Sequence, residues 1–138
     1  MTIEERQREI ISEFNMFTDW MEKYEYIIEL GKELPLIDEM HKTDDNLIRG
    51  CQSRVWLHAE LQDGKITFTA DSDAIITKGL VALVIRALNN QTPHDIAEAD
   101  LYFVKEIGLN EHLSPTRSNG LASMIKQMKM YAFAYANR

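Results

Sequence analysis

The sequence predicts an α+β domain in which a central antiparallel hairpin, or a three-stranded sheet, is packed by N- and C-terminal helices. Three observations carry that prediction. Apolar residues recur at helical spacing towards both ends of the chain. Two alternating runs meet at Asp63-Gly64 in the middle. A segment that is apolar almost all round follows them directly.

Ile3, Ile10, Ile11 and Phe14 give the first segment its helical stripe, and Trp20, Tyr24, Ile27 and Ile28 do the same for a second helix that Gly31 and Pro35 close. The period then changes. Val55, Leu57, Ala59 and Leu61 alternate with Arg54, Trp56, His58 and Glu60, and beyond the turn Ile66, Phe68 and Ala70 alternate with Lys65, Thr67 and Thr69. Asp-Gly supplies the two positive-φ positions of a two-residue hairpin turn. If Gln62 faces Lys65, then Trp56 faces Asp71 and Arg54 faces Asp73. The Asn46-Leu47-Ile48-Arg49 piece is the candidate third strand. Ser72-Asp73 opens a buried helix from about Ala74 to Asn89, and Thr92-Pro93 starts a short helical turn. Residues 101–107 are ambiguous between helix and strand, and Gly108 ends them. Ser114-Pro115 places an N-cap before a proline at the first helical position. Leu121, Met124, Ile125, Met128, Tyr131 and Tyr135 then line one face of a terminal helix.

No repeat, low-complexity segment or linker interrupts this order, so a single domain over 1–138 is expected. With 45% apolar residues, 138 residues suffice for one substantial core. No apolar run reaches membrane-spanning length, and the acidic, helical start is unlike a leader, so a cytoplasmic protein with no membrane partner is expected. Fifteen basic against 22 acidic residues give a net charge of −7, which repels phosphate backbones and argues against nucleic-acid binding.

Cys51 is the only cysteine, so any disulfide or sulfur exchange must involve a second molecule. It follows Gly50 on a loop that feeds a strand, where a thiol can be mobile and reachable; the competing reading is a small buried hydrophobe. The predicted register brings the N-terminus of the buried helix to the cysteine end of the hairpin. That terminus favours an anionic sulfur, whereas Asp71 and Asp73 oppose it, and the sign of the net shift stays open. Arg117 could add positive charge there or stand in solvent as an ordinary first-turn arginine.

Other cysteine chemistries find less support in the residues, and a cysteine hydrolase stays open only as a third reading. A phosphatase-like loop needs an arginine where this chain has Leu57. A Cys-His hydrolase needs a histidine selected by position, and His41, His58, His94 and His112 are scattered. No Cys-x-x-Cys or His-x-x-x-His pair occurs along the chain, so no metal site is expected. A thiol without a dedicated base can still attack an activated sulfur.

Gly50-Cys51-Gln52-Ser53 with Val55-Trp56 resembles the signature of the SufE family, sulfur acceptors of iron–sulfur cluster assembly. Further matches follow in the family's order: Trp20 with Glu22-Lys23-Tyr24, Tyr26 to Gly31, Leu34-Pro35, Ser72-Asp73-Ala74, Lys78-Gly79-Leu80, Leu113 to Arg117, and Asn119-Gly120-Leu121. Thr116 stands where serine is expected. The resemblance spans about residues 14–130. It implies that a SufS-like, pyridoxal-phosphate-dependent cysteine desulfurase hands its persulfide sulfur to Cys51, is stimulated by doing so, and that the sulfur passes to an iron–sulfur scaffold complex. The pyridoxal phosphate belongs to the partner, so this chain is expected to carry no cofactor and to be a transient persulfide carrier rather than an enzyme. Gly50 would supply loop freedom, and Gln52 and Ser53 would steady the loop or the sulfur, or merely cap the turn. Asp73 would hold the loop by hydrogen bonds or serve as an N-cap. Arg117 and Asn119 would shape the site or the docking surface. A non-covalent docking module that activates the desulfurase is the alternative.

Overall fold

A computed structural model describes residues 1–137 and bears out the α+β reading. Helix α1 (Ile3–Phe14) starts on a reciprocal cap: Thr2 Oγ1 accepts from the Glu5 amide, and the Thr2 amide donates to Glu5 Oε1. Asp19 caps α2 (Trp20–Gly31) in the simpler one-way form. Strands β1 (Val55–Gln62) and β2 (Lys65–Ser72) form the hairpin, and Trp56 faces Asp71 as the turn predicts. Asp63 and Gly64 both take positive φ, 53° and 79°.

Among the described residues the sheet has two strands, not three. The 3₁₀ turn Asp44–Asn46 claims the Leu47 amide, and Gly50 at φ +89° ends any extended run. What remains of the candidate strand is one antiparallel bridge, Leu47 opposite Trp56, with the Ile48 amide donating to Val55 O at 2.8 Å. This bridge covers the outer edge of β1. The outer edge of β2 is covered by residues 35–37 and 89–91: the Ala70 amide donates to Pro35 O, the Ile66 amide to Gln91 O, and the Phe68 amide to Asn89 Oδ1. A two-stranded ribbon is marginal alone, and these contacts cover part of each of its edges.

Helix α3 (Ile75–Leu88) is the centre of the fold, buried along nearly its whole surface as its composition requires. One face packs on α2, another on β2, and α1 and the C-terminal helix contribute further contacts. Short helices α4 (Pro93–Glu98), α5 (Phe103–Glu106) and α6 (Leu109–His112) occupy the stretch after it. The ambiguity of 101–107 resolves as helix because α1 reaches over it. The buried Gln7 accepts from the Phe103 amide and donates to Asp100 O, satisfying both ends of its amide. Helix α7 (Pro115–Ala136) buries Leu121, Met124, Met128 and Ala132, with Ile125, Tyr131 and Tyr135 at the margins of that face. Among the described residues no helix is long and apolar enough to cross a membrane.

Candidate functional site around Cys51

The cysteine loop lies between the start of β1 and the first turns of α7. Gly50 approaches α7 so closely that a Cβ there would sit 2.5 Å from Ser123 Oγ. Cys51 is therefore pressed against the helix, and its Sγ–H donates to Gly120 O across 3.5 Å. Gly120 lies directly against the cysteine: a Cβ at that position would rest in ordinary van der Waals contact with Sγ at 3.6 Å.

A cavity of about 110 Å³ opens beside the sulfur. Its loop wall is Cys51, Gln52 and Ser53, and its helical walls are Thr77 and Leu80 of α3 with Thr116, Arg117, Gly120 and Met124 of α7. Leu80 and Met124 are buried core residues, so the floor is apolar. The early turns of both α3 and α7 reach the cavity, which is the neighbourhood the register argument predicts for α3. Burial nevertheless pushes the Cys51 thiol above its ordinary pKa. Desolvation thus acts against the anionic sulfur that the helix N-terminus favours. Asp71 takes part in ion pairs with Lys42 and Lys78 at 3.0 and 3.4 Å.

The other candidate residues divide. Gln52, Ser53 and Arg117 join Cys51 at the cavity. Arg117 is also held at its edge, donating from Nη1 to Tyr24 Oη at 3.3 Å with its guanidinium 6.0 Å from that ring. Asp73 closes the base of the loop rather than capping α3: its Oδ1 accepts from the Arg54 amide at 3.1 Å, and its own amide donates to Arg54 O. Ala74, the N-cap residue of α3, offers no side-chain cap, while Ser72 Oγ accepts from the Ala74 amide and donates to Arg54 O. Asn119 is exposed and does not line the cavity; its carbonyl accepts from Ser123 Oγ, the group beneath Gly50. Trp56 does not line the cavity; Lys42 Nζ lies over its ring, 4.7 Å from the centroid.

Sequence reasoning passed over Thr77, Leu80, Gly120 and Met124 as site residues. Leu80 and Met124 carry only an apolar-face signal, which does not separate a cavity floor from a core. A second grouping also escaped it. His41 and His58, distant in sequence, stack with ring centroids 3.7 Å apart.

Residues 8–132 match the SufE family, described as an Fe-S metabolism associated domain. An uncharacterized SufE-like protein of Rhizobium meliloti (strain 1021) is 43% identical over 129 residues, covering 90% of this chain and 92% of that protein. The solution structure of a hypothetical protein from Thermus thermophilus superposes with a TM-score of 0.80 at 17% identity, covering 96% of this chain and 97% of the other, a likeness of fold. The Gly-Cys-Gln loop, the helices that wall it and a match over nearly the whole length agree: the chain belongs to the SufE family, whose domain is associated with Fe-S metabolism.

Proposed function

We propose that this protein, acting as one domain in the cytoplasm, accepts sulfur on Cys51 from the persulfide of a pyridoxal-phosphate-dependent cysteine desulfurase and delivers it to an iron–sulfur scaffold. The observation that carries the reading is the seat of Cys51: a half-buried thiol on a glycine-hinged loop, beside a cavity with an apolar floor. The Cys51 thiolate attacks the terminal sulfur of the donor's Cys-S-SH. A new S–S bond forms at Cys51 as the donor's S–S bond breaks, and the donor cysteine leaves as a thiolate. The electrons balance within the exchange, so no oxidant or metal is required.

At rest the half-buried thiol is held protonated and bonded to the Gly120 carbonyl, a state in which it is a weak nucleophile. Swinging the loop outward removes the burial and with it the cause of the raised pKa. The same motion that delivers Cys51 to its partner thus raises its thiolate fraction. After transfer, a cavity of about 110 Å³ has several times the room that one water needs, enough for one added sulfur. Gln52, Ser53 and Arg117 supply polar groups at its mouth, and Asp73 anchors the loop's return into β1.

Mass spectrometry after incubation with desulfurase and free cysteine should find one extra sulfur atom, confined to Cys51. Desulfurase turnover should rise with the native protein and not with Cys51→Ser. Full stimulation by Cys51→Ser would identify a docking activator instead.

A further inference from the structure

The solvent face of the hairpin carries a second constellation, built from residues the chain keeps apart. His58 and Glu60 stand two positions apart on β1, so both leave the face whose alternate residues Leu57 and Ala59 enter the core. His41 arrives from the 3₁₀ turn Glu39–His41 and lies flat on His58, the planes 8° from parallel. Glu60 Oε1 is 3.1 Å from His58 Nε2. One donor atom from each of the three side chains lies within 4.8 Å of the other two.

We propose that His41, His58 and Glu60 bind a divalent transition-metal ion of the Zn²⁺ or Cu²⁺ type. Two imidazole nitrogens and one carboxylate oxygen are the donor set that borderline ions of this class take, with a further position left for water or a partner's ligand. Bonds of about 2.0–2.1 Å in a tetrahedron put donor atoms roughly 3.4 Å apart. The His58–Glu60 pair already meets that spacing. The stacked imidazoles bind through in-plane lone pairs, so His41, whose ligand atom lies within 4.8 Å of the others, must turn out of the stack to share the ion.

The surroundings favour the ion. The turn that presents His41 is pinned on both sides: its amide donates to Asp38 O at 2.9 Å, and its carbonyl accepts from Asn46 Nδ2 at 2.6 Å. The neighbouring cation, Lys42, is drawn away to Asp71 and the Trp56 ring. Across the hairpin from His58 and Glu60 stand Thr69 and Thr67, small and uncharged. A spacing argument along the sequence does not find this site, because one ligand comes from a turn and two from a strand.

Calorimetric titration of the metal-free protein with Zn²⁺ near neutral pH tests the site. One ion per chain should bind, equally to the native protein and to Cys51→Ser, which removes the thiol as a competing ligand. His41→Ala and His58→Ala should each weaken binding by about tenfold or more, the scale on which metal sites respond to damage. His94→Ala should leave it unchanged. Glu60→Gln, at an exposed position, gives a second route should a histidine variant fail to fold. With Cu²⁺, the nitrogen hyperfine pattern should fall from two nitrogens to one in either histidine variant. No saturable heat, binding lost in Cys51→Ser, or affinity unmoved by the His41, His58 and Glu60 substitutions would overturn the assignment.

Discussion

Burial that raises the pKa of Cys51 stores the sulfur in its unreactive form, and this has a kinetic signature in the isolated protein. A raised thiol pKa means that the folded state favours the protonated sulfur, so alkylation should switch on at higher pH in the native protein than in the urea-unfolded chain, whose thiol titrates at about 8.5. Iodoacetamide labelling against pH measures both midpoints. A native midpoint below the unfolded one would mean that helix termini, rather than desolvation, control the sulfur. Gly50 sets the position from which the thiol starts. An alanine there must adopt φ near +89° and push Ser123 Oγ off its bond to Asn119 O. Left-handed backbone costs a non-glycine residue about 1–2 kcal/mol, so Gly50→Ala should lose at least that much in urea denaturation. Adding Ser123→Ala should recover only the steric part. At this scale the tripeptide was legible because a glycine before a lone cysteine has few structural excuses. Leu80 and Met124 were not, since a residue that floors a cavity and one that fills a core share the same apolar spacing.

Between elements, α2 and α3 cross with little space between their backbones. A Cβ on Gly79 would lie 2.1 Å from Ile27 O, and one on Gly31 would lie 2.9 Å from the Gly79 amide nitrogen. The two helices meet backbone to backbone, and α3 in turn offers Thr77 and Leu80 to the cysteine cavity. Overpacking usually costs about 1–3 kcal/mol, and here the obstacle is a main-chain carbonyl that cannot rotate away. Alanine's better helix propensity returns only about 1 kcal/mol. Gly79→Ala should therefore destabilise by about 3 kcal/mol or more in urea denaturation, the top of the overpacking range. A loss below 1 kcal/mol would show that the helices can separate freely. The sequence offers Gly79 only as part of a family-like Lys-Gly-Leu; nothing in a helical pattern says which glycine is a crossing point. The hairpin was readable to the residue, because Asp63-Gly64 fixes a two-residue turn and the turn fixes every pair. The candidate third strand at 46–49 was not. Its alternation is too short to outweigh the 3₁₀ turn before it and the positive φ of Gly50 after it.

Across the whole molecule, a surplus of acidic groups makes the placement of the few cations consequential. Arg86 on α3 binds Glu9 and Glu13 of α1, and Glu13 also accepts from Tyr26 Oη of α2, so one guanidinium holds three helices through two carboxylates. Arg6 adds a second tie from α1, donating to Arg86 O and Asn89 O at the end of α3. These bonds lie on the side of α3 that faces α1 and α2, so they act on stability without touching the cavity at Cys51. Arg86, by hydrogen bonding, holds the Glu13 carboxyl below its ordinary pKa. A depressed carboxylate contributes stability that is complete above its unfolded value, about 4.3, and is lost as pH falls through the lower folded value. Urea denaturation repeated from neutral pH down to acid should therefore show native stability falling below about pH 4.5. Glu13→Gln should start lower at neutral pH and fall less steeply across that window, the two curves converging in acid. Parallel curves would mean that Glu13 titrates alike in folded and unfolded chains, and that packing rather than the ion pair joins α1 to α3.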